Sequence, residues 1–157
     1  MKTREAAEQF LARRRIAVTG VSRNAEGHGA NIVYQRLRST GYEVFAVNPH
    51  AEQVEGDACY PDLTAIPGGV EAVVIGTRPD HAEATMREAV GLGITRVWMH
   101  GSIGGTSVSQ TATAYGRQNG VTVIDGACPL MYGPTADGGH KVMCAVLSMT
   151  GKVPRRV

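Results

Sequence analysis

The 157-residue chain is poor in aromatic residues and has no long apolar run. Aromatic residues make up 5% of it, so it lacks the stacking side chains that interleave with basic residues in single-strand nucleic-acid binders. No stretch approaches the roughly 20 apolar residues of a membrane-spanning helix. Its 16 basic and 14 acidic side chains leave a net charge of only +2. We therefore expect a soluble chain with neither a nucleic-acid nor a membrane partner.

Basic residues are concentrated in two short segments, the cluster Arg13–Arg15 and the tail Lys152–Arg156. No aromatic residues accompany either cluster. We interpret both as solvated segments at the ends of the chain rather than as part of a binding face.

Cysteine is also scarce, and its spacing excludes the usual cysteine-rich folds. Cys59, Cys128 and Cys144 are odd in number and far apart, so neither a disulfide framework nor a zinc knuckle is indicated. His140 and Cys144 have i,i+4 spacing, but two ligands do not make a metal site. The charged start Met1–Ala6 is unlike a signal peptide. We expect a reduced, cytoplasmic chain without a metal.

Apolar, β-branched runs alternate with helical patterns along the chain. Because near-continuous apolar runs are typical of strands covered on both faces, the pattern predicts a five-stranded, parallel, doubly wound α/β sheet in a single domain, residues 1–157. A leading N-terminal helix and a C-terminal helical tail flank it. The predicted strands are 15–21, 43–48, 70–76, 95–100 and 121–125. The predicted helices are 3–13, 29–40, 79–92, 106–119 and 137–150.

Two segments do not follow this alternation. Residues 50–69 show only a short turn near 63–66, which predicts an abbreviated crossover. Residues 126–134, rich in glycine and proline, read as a loop.

The turn after the first predicted strand, Gly20–Arg23, has the composition of a phosphate-binding turn. Gly20 permits a tight backbone, Ser22 offers a hydroxyl, and the helix that follows would direct unpaired N–H groups at an anion. The dinucleotide fingerprint GxGxxG is not met, because Ser22 replaces its second glycine and Gly27 and Gly29 come too late. A glycine turn without a ligand remains an alternative.

The second predicted strand ends in Asn48-Pro49, where a nicotinamide-dinucleotide site usually carries an acid. A carboxylate there would repel a ribose that bears a 3′-phosphate. A neutral amide with His50 or Arg23 nearby would tolerate that phosphate. The alternative is that both residues simply end the strand, since both favour turns.

Other polar residues follow the remaining strands. Arg78 could hold a phosphate bidentately, and the loop Gly101–Ser107 could direct backbone donors at a ligand or merely cap the next helix. Cys128 could exchange with another thiol or be structural, and no neighbouring feature lowers its pKa. His100 is the lone acid–base candidate. No paired acids or nucleophile motif accompany it, so the enzyme question stays open with no catalytic residue assigned.

Taken in order, these residues make the chain resemble the small stand-alone CoA-binding proteins related to the CoA-binding domain of the succinyl-CoA synthetase α subunit. The resemblance extends over residues 14–131. The segments that carry it are Gly20-Val21-Ser22-Arg23-Asn24, Gly41–Val44, Val47-Asn48-Pro49, Tyr60–Leu63, Ile66-Pro67, Val70–Val74, Arg78–His81, Val97–Met99 and Cys128-Pro129.

The resemblance implies a Rossmann-like sheet with CoA lying across the strand ends. The pyrophosphate would lie on Gly20, Val21, Ser22 and Arg23, and the adenosine beside Asn48 and Pro49. Arg78 and the loop with Gly101 and Ser102 would face the remaining phosphates and the pantetheine arm. Thr77, Cys128 and Pro129 complete the expected cofactor-binding residues. This chain departs from its relatives in two places: Thr77 stands where they often carry an arginine, and His100-Gly101 where they often carry Gln-Glu.

The sequence thus predicts a protein that binds coenzyme A or an acyl-CoA and does not itself form thioesters. In the related ligases a second domain carries the phosphorylated histidine, and the remaining residues are too few to hold one. Two alternatives remain open, a small NAD(P)-dependent oxidoreductase and a protein-interaction subunit with a vestigial pocket. A homo-oligomer is compatible with the sequence but not indicated by it.

Overall fold

A mostly parallel seven-stranded sheet organises the computed structural model, which describes residues 1–26, 28–102, 104–151 and 153–157. Its strand order is β3-β4-β2-β1-β5-β6-β9, and all neighbours are parallel except β3 and β4. A separate antiparallel ribbon pairs β7 with β8. The strands are β1 Arg15–Thr19, β2 Glu43–Val47, β3 Gln53–Val54, β4 Asp57–Tyr60, β5 Ala72–Ile75, β6 Arg96–Met99, β7 Gly101–Ser102, β8 Gly105–Thr106 and β9 Thr122–Asp125.

All five predicted strands are present, but the prediction of a five-stranded sheet is wrong by two strands. Strands β3 and β4 form a hairpin in residues 50–69, the predicted abbreviated crossover. Its turn, Glu55-Gly56, has φ of 54° and 78°, the left-handed pair of a tight hairpin. Strands of two and four residues are too short to show a hydrophobic period, so the sequence gives no sign of them.

The five predicted helices are present as α1 Thr3–Leu11, α2 Gly29–Ser39, α3 Pro79–Gly91, α4 Gln110–Gln118 and α5 Gly138–Met149. Helix α4 begins four residues later than predicted, because residues 105–106 pair with β7 instead. Its start is marked by Ser109, whose hydroxyl accepts a hydrogen bond from the Ala112 amide. The predicted loop 126–134 contains two 3-10 turns, Pro129–Met131 and Gly133–Thr135.

Two apolar layers cover the sheet, and the side chains of β1 alternate between them. Ile16 and Val18 face the layer formed with α1, α2 and α5, whereas Ala17 faces the layer formed with α3 and α4. Strands β5, β6 and β9 alternate in the same way. Both faces are therefore buried, which explains why the strands read as continuous apolar runs.

The single tryptophan anchors the leading helix to the sheet. Trp98 on β6 is fully buried, and its ring meets Phe10 of α1 edge-to-face with centroids 5.4 Å apart. Its Nε1 donates to the Gly126 carbonyl at 2.9 Å, and Tyr132 packs beside it at 5.5 Å. Helix α1 and the segment after β9 are therefore fixed on the same face.

The basic segments are only partly solvated. Arg15 forms an ion pair with Glu43, donates to the Pro67 carbonyl at 2.6 Å and lies over the Phe45 ring, so it is a structural residue. In the tail, Arg155 and Arg156 are exposed, and Lys152 lies outside the described residues. Within the described ranges, no helix has the length and apolarity needed to cross a membrane.

Burial predicts a large difference between two leucines of the helices. Leu37 of α2 is 0% exposed and Leu92, just after α3, is 46% exposed. We expect Leu37→Ala to lower the free energy of unfolding by about 2–5 kcal/mol through lost burial and a cavity. The matched control Leu92→Ala should change it by about 0.5 kcal/mol or less. Urea denaturation measures both, and equal losses would contradict this core assignment.

Candidate functional site

The candidate site lies where the strand order reverses, at the carboxyl ends of β1 and β5. Gly20 follows β1 with φ of 79°, and a Cβ at this position would lie 2.6 Å from the Gly76 carbonyl oxygen. A Cβ at Gly76 would lie 2.6 Å from the Thr19 oxygen and 2.7 Å from Ala30 Cβ. Only glycines allow the two turns and the start of α2 to approach so closely.

The fully buried side chain of Asn31 holds the Gly20–Arg23 turn through hydrogen bonds to its backbone. The Asn31 side-chain oxygen accepts the Ser22 amide at 2.8 Å, and its nitrogen donates to the Ser22 carbonyl at 2.8 Å. That nitrogen also donates to Glu55 Oε1 at 2.7 Å. The β3–β4 hairpin thus supports the turn through Asn31.

Neither Asn31 nor Glu55 was predicted from the sequence to support this turn. A signal existed for Asn31, because asparagine in the first turn of a predicted helix usually hydrogen-bonds to nearby backbone. None existed for Glu55, which reaches the site only through the hairpin that the sequence did not reveal.

The side chain of Asn48 joins the ends of β1 and β2. Its nitrogen donates to the Val21 carbonyl at 3.0 Å, and its oxygen accepts the His50 amide at 2.8 Å. Both polar groups of this amide are therefore engaged within the protein. Asn48 does more than end a strand, since it couples the two turns that border the site.

Two cavities open along the strand ends and meet at Thr77, which lines both. The β2-side cavity, about 340 Å³, is bordered by Gly20, Asn48, Pro49, His50, Leu63 and His81. The β6-side cavity, about 430 Å³, is bordered by Gly29, Arg78, His100, Ser102, Cys128 and His140. The Thr77 hydroxyl oxygen is buried and has no hydrogen-bond partner among the described residues. An unpaired buried hydroxyl is unfavourable, and it belongs to the residue that borders both cavities.

Helix α2 directs its first turn into the β6-side cavity. The first amides of a helix have no intrahelical partners, and the preceding residue, His28, provides no side-chain cap. Gly29 brings the backbone against His100, since a Cβ there would lie 2.8 Å from His100 Cε1. Burial, followed by the charge of His140, lowers the pKa of His100 and favours its neutral form. The wall beside the helix start is therefore uncharged at neutral pH.

The exposed arginines differ in their partners. Arg78 borders the β6-side cavity and donates to Asp80 from Nε at 3.2 Å and from Nη2 at 2.5 Å. Hydrogen bonding to Asp80 raises the pKa of Arg78. Arg23 is exposed and has no ion-pair partner in the described part of the chain.

Several residues predicted for the site are buried or used structurally. Val21 is 0% exposed, and Pro129 is buried with its carbonyl accepting the Thr135 hydroxyl at 3.0 Å. Cys128 borders the β6-side cavity but is only 3% exposed, and burial raises its pKa to about 11. These values favour the structural interpretation of Cys128 over thiol exchange.

The glycine-rich loop after β6 is the β7–β8 ribbon. The Gly101 amide donates to the Ala127 carbonyl at 2.8 Å, and the Ser102 hydroxyl donates to the Gly105 carbonyl at 3.4 Å. Residues 27 and 103 lie outside the described residues.

The side chain of His140 is paired with Asp137. Its Nδ1 lies 2.8 Å from Asp137 Oδ1, while the other oxygen of Asp137 pairs with Arg36 Nη2 at 2.5 Å. In the part of the chain that the structure describes, no three His, Cys, Asp or Glu side chains converge as metal ligands would.

The doubly wound, mostly parallel sheet, with a glycine crevice where the strand order reverses, places the chain among the Rossmann-like α/β proteins. Within that class, residues 14–134 match the CoA binding domain family, and the chain belongs to it. The match covers the whole sheet, including the β3–β4 hairpin.

The relatives found by comparison are ligases and small proteins. A segment of 81 residues is 32% identical to the ADP-forming acetate–CoA ligase II of Archaeoglobus fulgidus, covering 50% of this chain but only 12% of the ligase. A hypothetical protein from Pyrococcus horikoshii superposes with a TM-score of 0.75 and 26% identity, covering 90% of this chain and 92% of that one. The dinucleotide-forming acetyl-coenzyme A synthetase 1 of Ca. Korarchaeum cryptofilum shares the fold, with a TM-score of 0.59, 22% identity and coverage of 71% and 25%.

The hydrogen bonds of Asn31 predict a local loss of order on its removal. We expect Asn31→Ala to lower the free energy of unfolding by about 1–3 kcal/mol, because it leaves the Ser22 amide and carbonyl unpaired. Amide hydrogen exchange at Ser22 should accelerate more than exchange in β6. The exposed control Asn24→Ala should change stability little. Unchanged exchange at Ser22 in Asn31→Ala would contradict the bracing role.

Proposed function

We propose that this protein binds CoA or an acyl-CoA non-covalently across the ends of β2, β1, β5 and β6. The observation that carries the proposal is the junction of the two cavities at Thr77, beside the glycine crevice and the start of α2. A ligand with a nucleotide at one end, a pyrophosphate in the middle and a long arm at the other matches this arrangement. CoA has that form, and the family supports it.

The pyrophosphate is best accommodated between the Gly20–Arg23 turn and the first turn of α2. Each charge contact at a helix end contributes about 0.3–1 kcal/mol, and the Gly29 and Ala30 amides precede the first backbone hydrogen bonds of α2, which Asn31 and Ile32 donate to the His28 carbonyl. Arg78 adds an exposed donor. It can exchange the two carboxylate oxygens of Asp80 for two phosphate oxygens and keep its bidentate geometry.

The adenosine half fits the β2-side cavity, and the polar groups there favour CoA over NAD. An NAD site needs a free acceptor for two ribose hydroxyls at the end of β2. The Asn48 side chain is already bonded to Val21 and His50. One oxygen of each nearby carboxylate is also engaged, since Asp62 Oδ1 accepts the Ala65 amide and Glu88 Oε1 accepts the amide and hydroxyl of Thr64. His50 and His81 instead border the cavity as donors for a 3′-phosphate.

The acetate–CoA ligase supports CoA binding but not the ligase reaction in this chain. The matched segment spans 12% of that enzyme, so the proposal extends to recognition of CoA or an acyl-CoA, as a single-domain binding module. The three cysteines are unpaired, which suits a reducing compartment, and we include a cytoplasmic location in the proposal.

Titration calorimetry tests this function with CoA, 3′-dephospho-CoA and NAD. We expect CoA to bind more tightly than either of the others, because it alone fills both cavities and carries the 3′-phosphate. Arg78→Gln should weaken CoA binding about tenfold by removing a bidentate phosphate contact. The matched control is Arg87→Gln, on the same helix α3, where the arginine pairs with Glu83 away from both cavities. NAD binding tighter than CoA binding would overturn the proposal.

A further inference from the structure

His140 is held in a fixed orientation at the wall of the β6-side cavity. It occupies the third position of α5, and Asp137 precedes the helix as its N-cap. Asp137 Oδ1 accepts the backbone amide of His140 at 2.8 Å and lies 2.8 Å from its Nδ1. The second oxygen of Asp137 pairs with Arg36 at 2.5 Å. Residues of two helices, α2 and α5, therefore hold the Asp137 carboxylate in place, and the carboxylate orients the His140 ring.

The protonation of Asp137 determines the tautomer of His140. Hydrogen bonds from the amide and the ring of His140 lower the pKa of Asp137 to about 2, so the carboxylate is ionised and can only accept. Nδ1 must then carry the ring proton. In the neutral ring, Nε2 is left with the lone pair, on a side chain that borders the cavity.

The other titratable groups around this cavity are neutral or already paired. His100 is buried and held in its neutral form, and Cys128 stays a thiol because of its raised pKa. Arg78 is bound to Asp80, and Arg36 is bound to Asp137. Among these groups, His140 alone combines a free basic nitrogen with a carboxylate that orients the ring.

The CoA-binding function proposed above gives this nitrogen a partner. With the nucleotide in the β2-side cavity and the pyrophosphate at α2, the pantetheine arm extends into the β6-side cavity, and it ends in a sulfhydryl. We propose that His140, oriented by Asp137, binds the thiol of CoA and holds it as the thiolate. The S–H bond breaks, an Nε2–H bond forms, and the thiolate lies beside the imidazolium. The site thereby presents CoA as a nucleophilic acyl acceptor.

The Asp137 carboxylate favours this charge separation, because it stabilises the imidazolium as a carboxylate does in His-based catalytic sites. Thiols beside a cationic histidine have pKa values lowered from about 8.5 to between about 3.5 and 7.5.

The competing explanation is that Asp137 and His140 form only a helix cap, with a polar residue at the third position. Variants that keep the cap separate the two roles. His140→Gln retains a residue favoured at that position but has no basic nitrogen. Asp137→Asn retains a good N-cap but loses the charge. Lys141→Gln is the control, because it changes an exposed neighbouring charge outside the cavity.

The experiment follows the ultraviolet absorbance of the thiolate as a function of pH. Subtracting the titration of the desulfo-CoA complex from that of the CoA complex isolates the ligand sulfur from the three protein cysteines. We expect its midpoint to lie at least about one pH unit below that of free CoA. His140→Gln should return the midpoint to that of free CoA, and Asp137→Asn should return it part of the way. Lys141→Gln should leave the lowered midpoint of the unmodified protein unchanged.

The outcomes distinguish this inference from the function on which it rests. If calorimetry shows that CoA binds but the midpoint of its thiol is unshifted, the thiolate proposal is overturned and the CoA-binding proposal stands. A shifted midpoint that survives in His140→Gln would also overturn it, because another group would then hold the sulfur. No binding of CoA at all would overturn both proposals. Thermal melts of each variant confirm that the cap and the fold are retained.

Discussion

The contact between the turns that follow β1 and β5 is the constraint on which the site depends. Gly20 and Gly76 approach so closely that a Cβ on either would overlap the opposite backbone at 2.6 Å. This contact lies where the strand order reverses, between the two cavities. It also allows the start of α2 to pack against Gly76. A bulkier residue in either turn would separate the strands' ends and divide the ligand groove.

The side-chain amides of two asparagines connect the turn after β1 to the neighbouring elements. Asn48 ties the turn after β1 to the turn after β2, and Asn31 ties the same turn to α2 and, through Glu55, to the β3–β4 hairpin. Each satisfies backbone groups that would otherwise be buried and unpaired. The Gly20–Arg23 turn therefore has its position set by side-chain hydrogen bonds within the protein. Preorganisation of this kind lowers the ordering cost of binding.

Much of the fold follows from the sequence, because its signals are local. The five apolar runs and five helical patterns are all present, and the core strands alternate between two layers as a doubly wound sheet requires. The β3–β4 hairpin was missed since its strands are too short to show a period. Gly20 and Asn48 stand out from their turns, whereas the roles of Thr77, Asn31 and the Asp137–His140 pair depend on contacts between distant segments. Contacts between distant segments leave no spacing signal in the sequence.

The most direct test of a continuous CoA groove is amide nuclear magnetic resonance during titration with CoA. We expect the amides of Gly20, Ala30, Asn48 and Thr77, which border one or both cavities, to shift together and saturate at one ligand per chain. Shifts confined to one cavity, with the Thr77 amide unaffected at saturation, would contradict the account.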